Sequence, residues 1–226
     1  MKNYAVLSIM RSGHHAIIEW IINLSNFGFL FHNNYLYENN ISILGNKKNK
    51  PYSRIINFED ISVEQFAKEL NTISLKYNQT FIPVIIVRNP FNTFASRWIH
   101  KSSYITVNDH IINLWVDHAA ELLRETKLID NAIGIYFDHW FQFGQYREKL
   151  TKLLGIQCSD KPHKKVSNFG GGSSFDGLKY KGIATSMNVL TRWNEVNDKL
   201  LKTIVLKHPE CNHYLNKLEK SIVLTE

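Results

Sequence analysis

Short apolar runs that lack strict alternation recur along this chain, separated by stretches of helical periodicity, and that alternation limits the folds open to it. The runs lie at residues 3–10, 54–58, 81–87 and 132–137. Strands buried on both faces lose the in–out alternation of half-exposed ones. Helical patterns occupy residues 14–24, 63–75, 92–100, 110–126 and 146–154, then 187–207 and a short piece at 214–220. Strands alternating with helices predict an α/β fold, a central parallel sheet of about four or five strands flanked by helices on both faces. With 226 residues, 44% of them hydrophobic, the chain can bury one sizeable core, and no Pro/Gly/Ser-rich linker divides it. One domain spanning residues 1–226 is expected.

Parallel sheets take their ligands beyond the carboxyl ends of the strands. The stretch VLSIMRSGHHAIIEWI, from Val6, runs a strand through Arg11, Ser12 and Gly13 into an amphipathic helix. Free amides of a first helical turn and the helix dipole attract an anion there. Gly13 lets backbone approach closely, Arg11 can grip two oxygens, and His14 and His15 can donate through ring nitrogens. The usual P-loop ends in Gly-Lys-Ser/Thr. Here that magnesium-binding hydroxyl is missing, which argues against an ordinary nucleotide triphosphatase. Adjacent helical side chains point about 100° apart, so a metal shared by the two histidines is not expected.

A second stretch, IPVIIVRNPFNTFASRW, ends a buried strand at Val87 and continues through Arg88, Asn89 and Pro90 into a helix carrying Ser96. Arg88 leaves the same edge of the sheet as Arg11. Taken singly, Arg-Ser-Gly reads equally as an ordinary turn, and Arg88 as a strand-end cation pairing with a surface carboxylate. Together the two stretches resemble the sulfotransferases that use 3′-phosphoadenosine 5′-phosphosulfate (PAPS).

That resemblance implies a P-loop-like sheet whose first loop, Arg11, Ser12, Gly13, His14 and His15, holds the 5′-phosphosulfate. It implies that Arg88 and Ser96, eight residues apart, hold the 3′-phosphate. The first loop departs from the family pattern, since two histidines stand where hydroxyl residues are common. SRIINFED resembles the family's second core strand, and the position of the catalytic base falls on Glu59. IGIYFDHW resembles the family's strand ending in Tyr-Glu-Asp, which implies a place for Phe137 near the adenine. HKKVSNFGGGSSF stands where the family carries a basic, glycine-containing loop over the 3′-phosphate, with Lys164, Lys165, Gly170, Gly171 and Gly172 as substitutes for its Arg-Lys-Gly. The implied reaction moves a sulfuryl group from PAPS to a hydroxyl or amine of a small-molecule or glycan acceptor. Arg11 and His15 would offset charge on the departing adenosine 3′,5′-bisphosphate, and no metal is called for.

Other readings of these residues stay open. Glu59 or Asp60 could instead cap the helix that begins near Val63, leaving His14 or His32 as the base. A nucleotide-dependent kinase would explain both loops, but should show a magnesium-binding hydroxyl and an acidic partner. A nucleic-acid binder would explain 27 basic against 20 acidic residues, a net charge of +7, though not Arg88 with Ser96. The lysines of NKKNK have no interleaved aromatics, so that segment reads as a solvated loop. Cys158 and Cys211 are the only cysteines, too few for a disulfide framework or a cysteine zinc site. His100, His110 and His118 show no metal spacing, and Trp20 and Trp115 read as core. A strand begins by Tyr4, so no secretory leader is expected, no apolar run suits a membrane span, and the expected compartment is the cytoplasm. Residues 33–51 read as a polar surface loop, and residues 101–109 as part of the acceptor pocket. Residues 159–181 are too glycine-rich for a helix and too long for an idle connection.

Overall fold

The computed structural model describes residues 2–36, 41–44, 52–100, 106–159, 175–176, 179–180, 183 and 186–221. In chain order the elements are β1 (Asn3–Ser8), α1 (His14–Leu24), β2 (Gly28–His32), β3 (Ile41–Leu44), β4 (Tyr52–Glu59), α2 (Val63–Tyr77), β5 (Phe81–Val87), α3 (Pro90–His100), α4 (Asp109–Leu122), β6 (Ile133–Tyr136), α5 (Phe137–Gln142), α6 (Gly144–Leu154), α7 (Lys199–Leu206) and α8 (Pro209–Lys220). The sheet order is β3-β2-β4-β1-β5-β6. Five strands are parallel, and β3 closes one edge antiparallel to β2.

β1 explains why the chain folds this way. All six of its residues are buried, and it bonds β4 on one side and β5 on the other. Its alternate residues feed two cores. Tyr4 and Val6 pack with Ile17, Ile18 and Ile21 of α1 and Leu150 and Leu154 of α6. Ala5 and Leu7 pack with Phe66 of α2, Phe94 of α3 and Ile112 and Trp115 of α4. Helices therefore cover both faces, and each buried branched side chain stabilises the sheet by about 1.5–3 kcal/mol relative to exposure.

The differences from the sequence reading have local causes. β2, GFLFH, was not expected, because a five-residue run after a helix carries little periodicity. β3 falls inside the segment read as a surface loop, where pairing with β2 recruits it. The expected helix over residues 187–207 is instead a 3₁₀ turn, Arg192–Glu195, followed by α7. Asp198 forces that break, since its Oδ1 accepts from Leu200 and Leu201 N–H (2.9 and 3.1 Å) and starts a new helix. Phe137, read as a strand end, is the first residue of α5.

Asp60 does not cap α2. Ser62 does, its Oγ accepting from Gln65 N–H at 3.1 Å. Asp60 sits at φ 56 and turns back toward the first loop. Its Oδ1 accepts from Met10 N–H at 2.8 Å, and both oxygens take Arg97 Nη1, at 3.0 and 2.9 Å. Arg97 also donates to the Met10 carbonyl (3.3 Å) and, through Nε, to that of Thr106 (2.7 Å). One buried arginine thus ties together the turns after β1, β4 and α3. Asp60→Ala strands that guanidinium, and should cost about 3–5 kcal/mol of stability, read as a lowered midpoint in denaturant.

Candidate functional site

The carboxyl ends of β1, β4 and β5 are neighbours, so the residues that follow them share one edge. After β1 the chain passes through Arg11 at φ 70 and reaches Gly13 at φ 81, the residue that opens α1. No side chain caps α1, and its first turn carries no acidic residue. Uncapped first-turn amides with no acidic residue among them have the chemistry to take an anion. Gly13 is required twice over: its φ is left-handed, and a Cβ there would lie 2.5 Å from Cε2 of Phe137.

Phe137 also meets the second loop. The Arg88 guanidinium lies 5.1 Å from the centre of its ring. Arg88 is 3% exposed, and burial lowers its pKa to about 10 against the pull of Asp138. Nη1 donates to the Arg11 carbonyl at 3.4 Å, Nη2 to the Val189 carbonyl, and buried Nε has no partner among the described residues. Asp138 accepts from Asn89 N–H at 2.8 Å, and burial raises its pKa to about 6 although Arg88 works against the rise. Trp115 Nε1 donates to the Arg88 carbonyl at 2.8 Å and pins the strand end. Ser96 is buried on α3, whose Asn92 bonds the Leu190 carbonyl (2.8 Å) and Trp193 N–H (3.1 Å).

A polar cluster forms between α1 and β4. Glu59, at the end of β4, is buried, with Oε1 2.5 Å from His14 Nε2 and 3.2 Å from Asn57 Nδ2. Burial alone would raise the Glu59 pKa, but the charge and contact of His14, then His15 and Asn57, bring it down to about 2. Ser12 Oγ lies 3.2 Å from His14 Nδ1, and Asn33 Oδ1 lies 2.7 Å from His15 Nε2. Burial lowers the His15 pKa to about 4. The two histidine rings are 4.1 Å apart, so their helical offset does not separate them. Rotamer choice overrides it, and the possible ligand atoms of His14, His15 and Glu59 all lie within 4.8 Å of one another.

Among the sequence-derived candidates, Arg11, Gly13, Arg88 and Phe137 meet in one contact group, and Ser12, His14, His15 and Glu59 in the adjoining one. His32 is directed elsewhere, against Arg54 (3.5 Å) and between the rings of Tyr35 and Tyr77. Lys164, Lys165, Gly170, Gly171 and Gly172 lie outside the described residues. His118 bonds the Ile61 carbonyl at 2.8 Å, and Trp20 and Trp115 are core. Sequence reasoning missed Asn33, Asn57, Arg97 and Asp138. Asn57 and Glu59, two apart at the end of β4 beyond Ile55 and Ile56, were a legible signal of one polar face. A cavity of about 640 Å³, lined by none of these candidates, is bordered by Trp98, Ile99, Thr106, Val107, Val196 and Asp198, among others.

No protein-family model matches the chain. No curated protein matches it by sequence. Among solved structures it is similar to mouse sulfotransferase SULT7A1 complexed with PAP, with a TM-score of 0.50 and 17% identity over 100% of this chain and 84% of that one. At that identity the likeness is one of fold: both have the α/β architecture with a parallel sheet between helices.

Gly13→Ala combines a left-handed backbone with a ring contact that must give way. It should lose roughly 2 kcal/mol or more, measured by denaturant unfolding. A variant as stable as the parent would show that the Phe137 ring does not hold this loop.

Proposed function

We propose that the protein transfers a sulfuryl group from PAPS to a hydroxyl or amine of a small-molecule or glycan acceptor. The observation that carries this reading is the Phe137 contact. One ring touches Gly13 of the first anion loop and Arg88 of the second, so two phosphate-type sites on adjacent strands lie about one ring apart. A donor carrying a 5′-phosphosulfate and a 3′-phosphate needs two such sites. A fold shared with a PAP-complexed sulfotransferase supports the same donor.

In this reading the α1 amides with Arg11, Ser12, His14 and His15 receive the phosphosulfate. Arg88, through the Nε that has no partner among the described residues, and Ser96 receive the 3′-phosphate. Phe137 borders the adenine, and Lys164, Lys165 and Gly170 to Gly172 close over the donor. The acceptor O–H gives its proton to Glu59 as the new O–S bond forms. The bond from sulfur to the bridging oxygen breaks, and its electron pair leaves with the adenosine bisphosphate, where Arg11 and the α1 amides offset the charge and His15, kept neutral by burial, lines the loop. Positioning and charge stabilisation would carry most of the rate, as in phosphoryl transfer. The acceptor would use the cavity beside Thr106, which Arg97 links to the first loop. No helix among the described residues is long and apolar enough to cross a membrane.

Adenosine 3′,5′-bisphosphate should raise the melting temperature, with ATP and single-stranded DNA as comparators; a ligand at 100 times its Kd adds about 2.7 kcal/mol. Arg88→Ala should weaken the bisphosphate by roughly 30- to 150-fold, the equivalent of about 2–3 kcal/mol, while adenosine 5′-phosphate changes little in the same calorimetric titration. Equal weakening of both nucleotides would remove Arg88 from the 3′-phosphate.

Glu59→Gln preserves shape and the Asn57 contact but not basicity. Turnover should fall at least about a hundredfold with bisphosphate affinity retained, since general-base catalysis is worth about 10²- to 10⁴-fold. Near-normal turnover would exclude Glu59 as the base.

A further inference from the structure

We propose that His14, His15 and Glu59 form a binding site for one divalent transition-metal ion of the zinc class. The donor set is two imidazoles and one carboxylate, a combination found at zinc and related ions. Their ligand atoms lie within 4.8 Å of one another, two of them on buried side chains and the third on half-buried His15. Tetrahedral coordination at about 2.0–2.2 Å places ligands about 3.4 Å apart, so rotations of about an ångström complete the geometry.

The surroundings are those of metal ligands. In such sites each histidine engages its second ring nitrogen with an oxygen, which fixes the tautomer and aims the ring. Asn33 Oδ1, 2.7 Å from His15 Nε2, accepts that N–H and makes Nδ1 the lone-pair nitrogen. Ser12 Oγ stands 3.2 Å from His14 Nδ1 and, accepting from it, leaves Nε2 as the lone-pair nitrogen. That Nε2 is buried, makes no contact with hydrogen-bond geometry among the described residues, and faces Glu59 Oε1 at 2.5 Å. With that tautomer two lone-pair atoms face each other at this distance, an arrangement that a cation between them would satisfy. A proton would need only this pair, whereas convergence of the second histidine suits a metal ion. Asn57 Nδ2, 3.2 Å from the same carboxylate oxygen, orients it as outer partners do.

An ion here would occupy the carboxylate that the proposed transfer uses as a base, so metal loading and proton acceptance by Glu59 exclude each other. Binding is therefore measured without nucleotide or acceptor, and its outcome is separate from that of the bisphosphate titration. Chelator-stripped full-length protein is titrated with Zn²⁺ by calorimetry and with Co²⁺ by visible absorption. One equivalent should bind, with a cobalt spectrum of low coordination number. His15→Gln should abolish that spectrum and weaken zinc by more than about tenfold. Asn33→Ala, which touches no ligand atom, should weaken zinc by about 10- to 100-fold with the fold retained by circular dichroism. Absence of stoichiometric uptake by the parent protein overturns the proposal. So does zinc binding that is unchanged in His15→Gln, which would place the ion on other histidines or cysteines.

Discussion

β1 lies between β4 and β5 and hydrogen-bonds to both, and the site follows from that placement. Registers that put Ser8 opposite Glu59 on one side and Ile86 on the other align three strand ends at one level. Arg11, Glu59 and Arg88 come from chain positions far apart, yet follow β1 and its two neighbours, each neighbour one strand spacing of about 4.8 Å from β1. With β1 buried on both faces, a slip of one residue would exchange its two core faces, so the register is strongly specified. The apolar packing that stabilises the sheet therefore also fixes where the polar groups end.

The polar groups beyond the sheet fall into two kinds. Glu121 is a buried carboxylate fully engaged by its own loop: Thr126 and the N–H groups of Leu128 and Ile129 all donate to it. The Asp60 carboxylate is likewise taken up, by Met10 N–H and Arg97 Nη1. A buried charge satisfied in this way is structural. Glu59 differs. It faces two histidines and an asparagine side chain rather than main-chain donors. A carboxylate arranged so is costly to the fold, a cost that the proposed function would explain.

The cradle itself depends on shape as much as charge. The Phe137 ring lies where a Cβ of Gly13 would be, so only glycine lets α5 approach the first loop. That approach brings Arg88 alongside, and with it the carbonyls of Arg11 and Val189. Asn92 bonds the next carbonyl, Leu190, so the segment before the 3₁₀ turn is tied to the second loop through two successive main-chain carbonyls.

Read by itself, the sequence determined the α/β alternation, the near-exact limits of α1 and β5, and the two loops with Arg11 to His15 and Arg88, because short-range periodicity and turn chemistry carry that information. Glu59 was legible from its place at a strand end. The limits of that reading were tertiary. β2 and β3 exist through pairing with β4 and each other, which five- and four-residue runs do not announce. Asp60 looked like a helix cap, and only the approach of Arg97 from α3 reassigned it. His14 and His15 were expected to diverge by their helical offset, but rotamers chosen against Glu59, Asn33 and Ser12 brought their rings together. Local propensities act over a few residues, whereas these contacts join groups 18 to 77 positions apart, and only the packed sheet decides such distances.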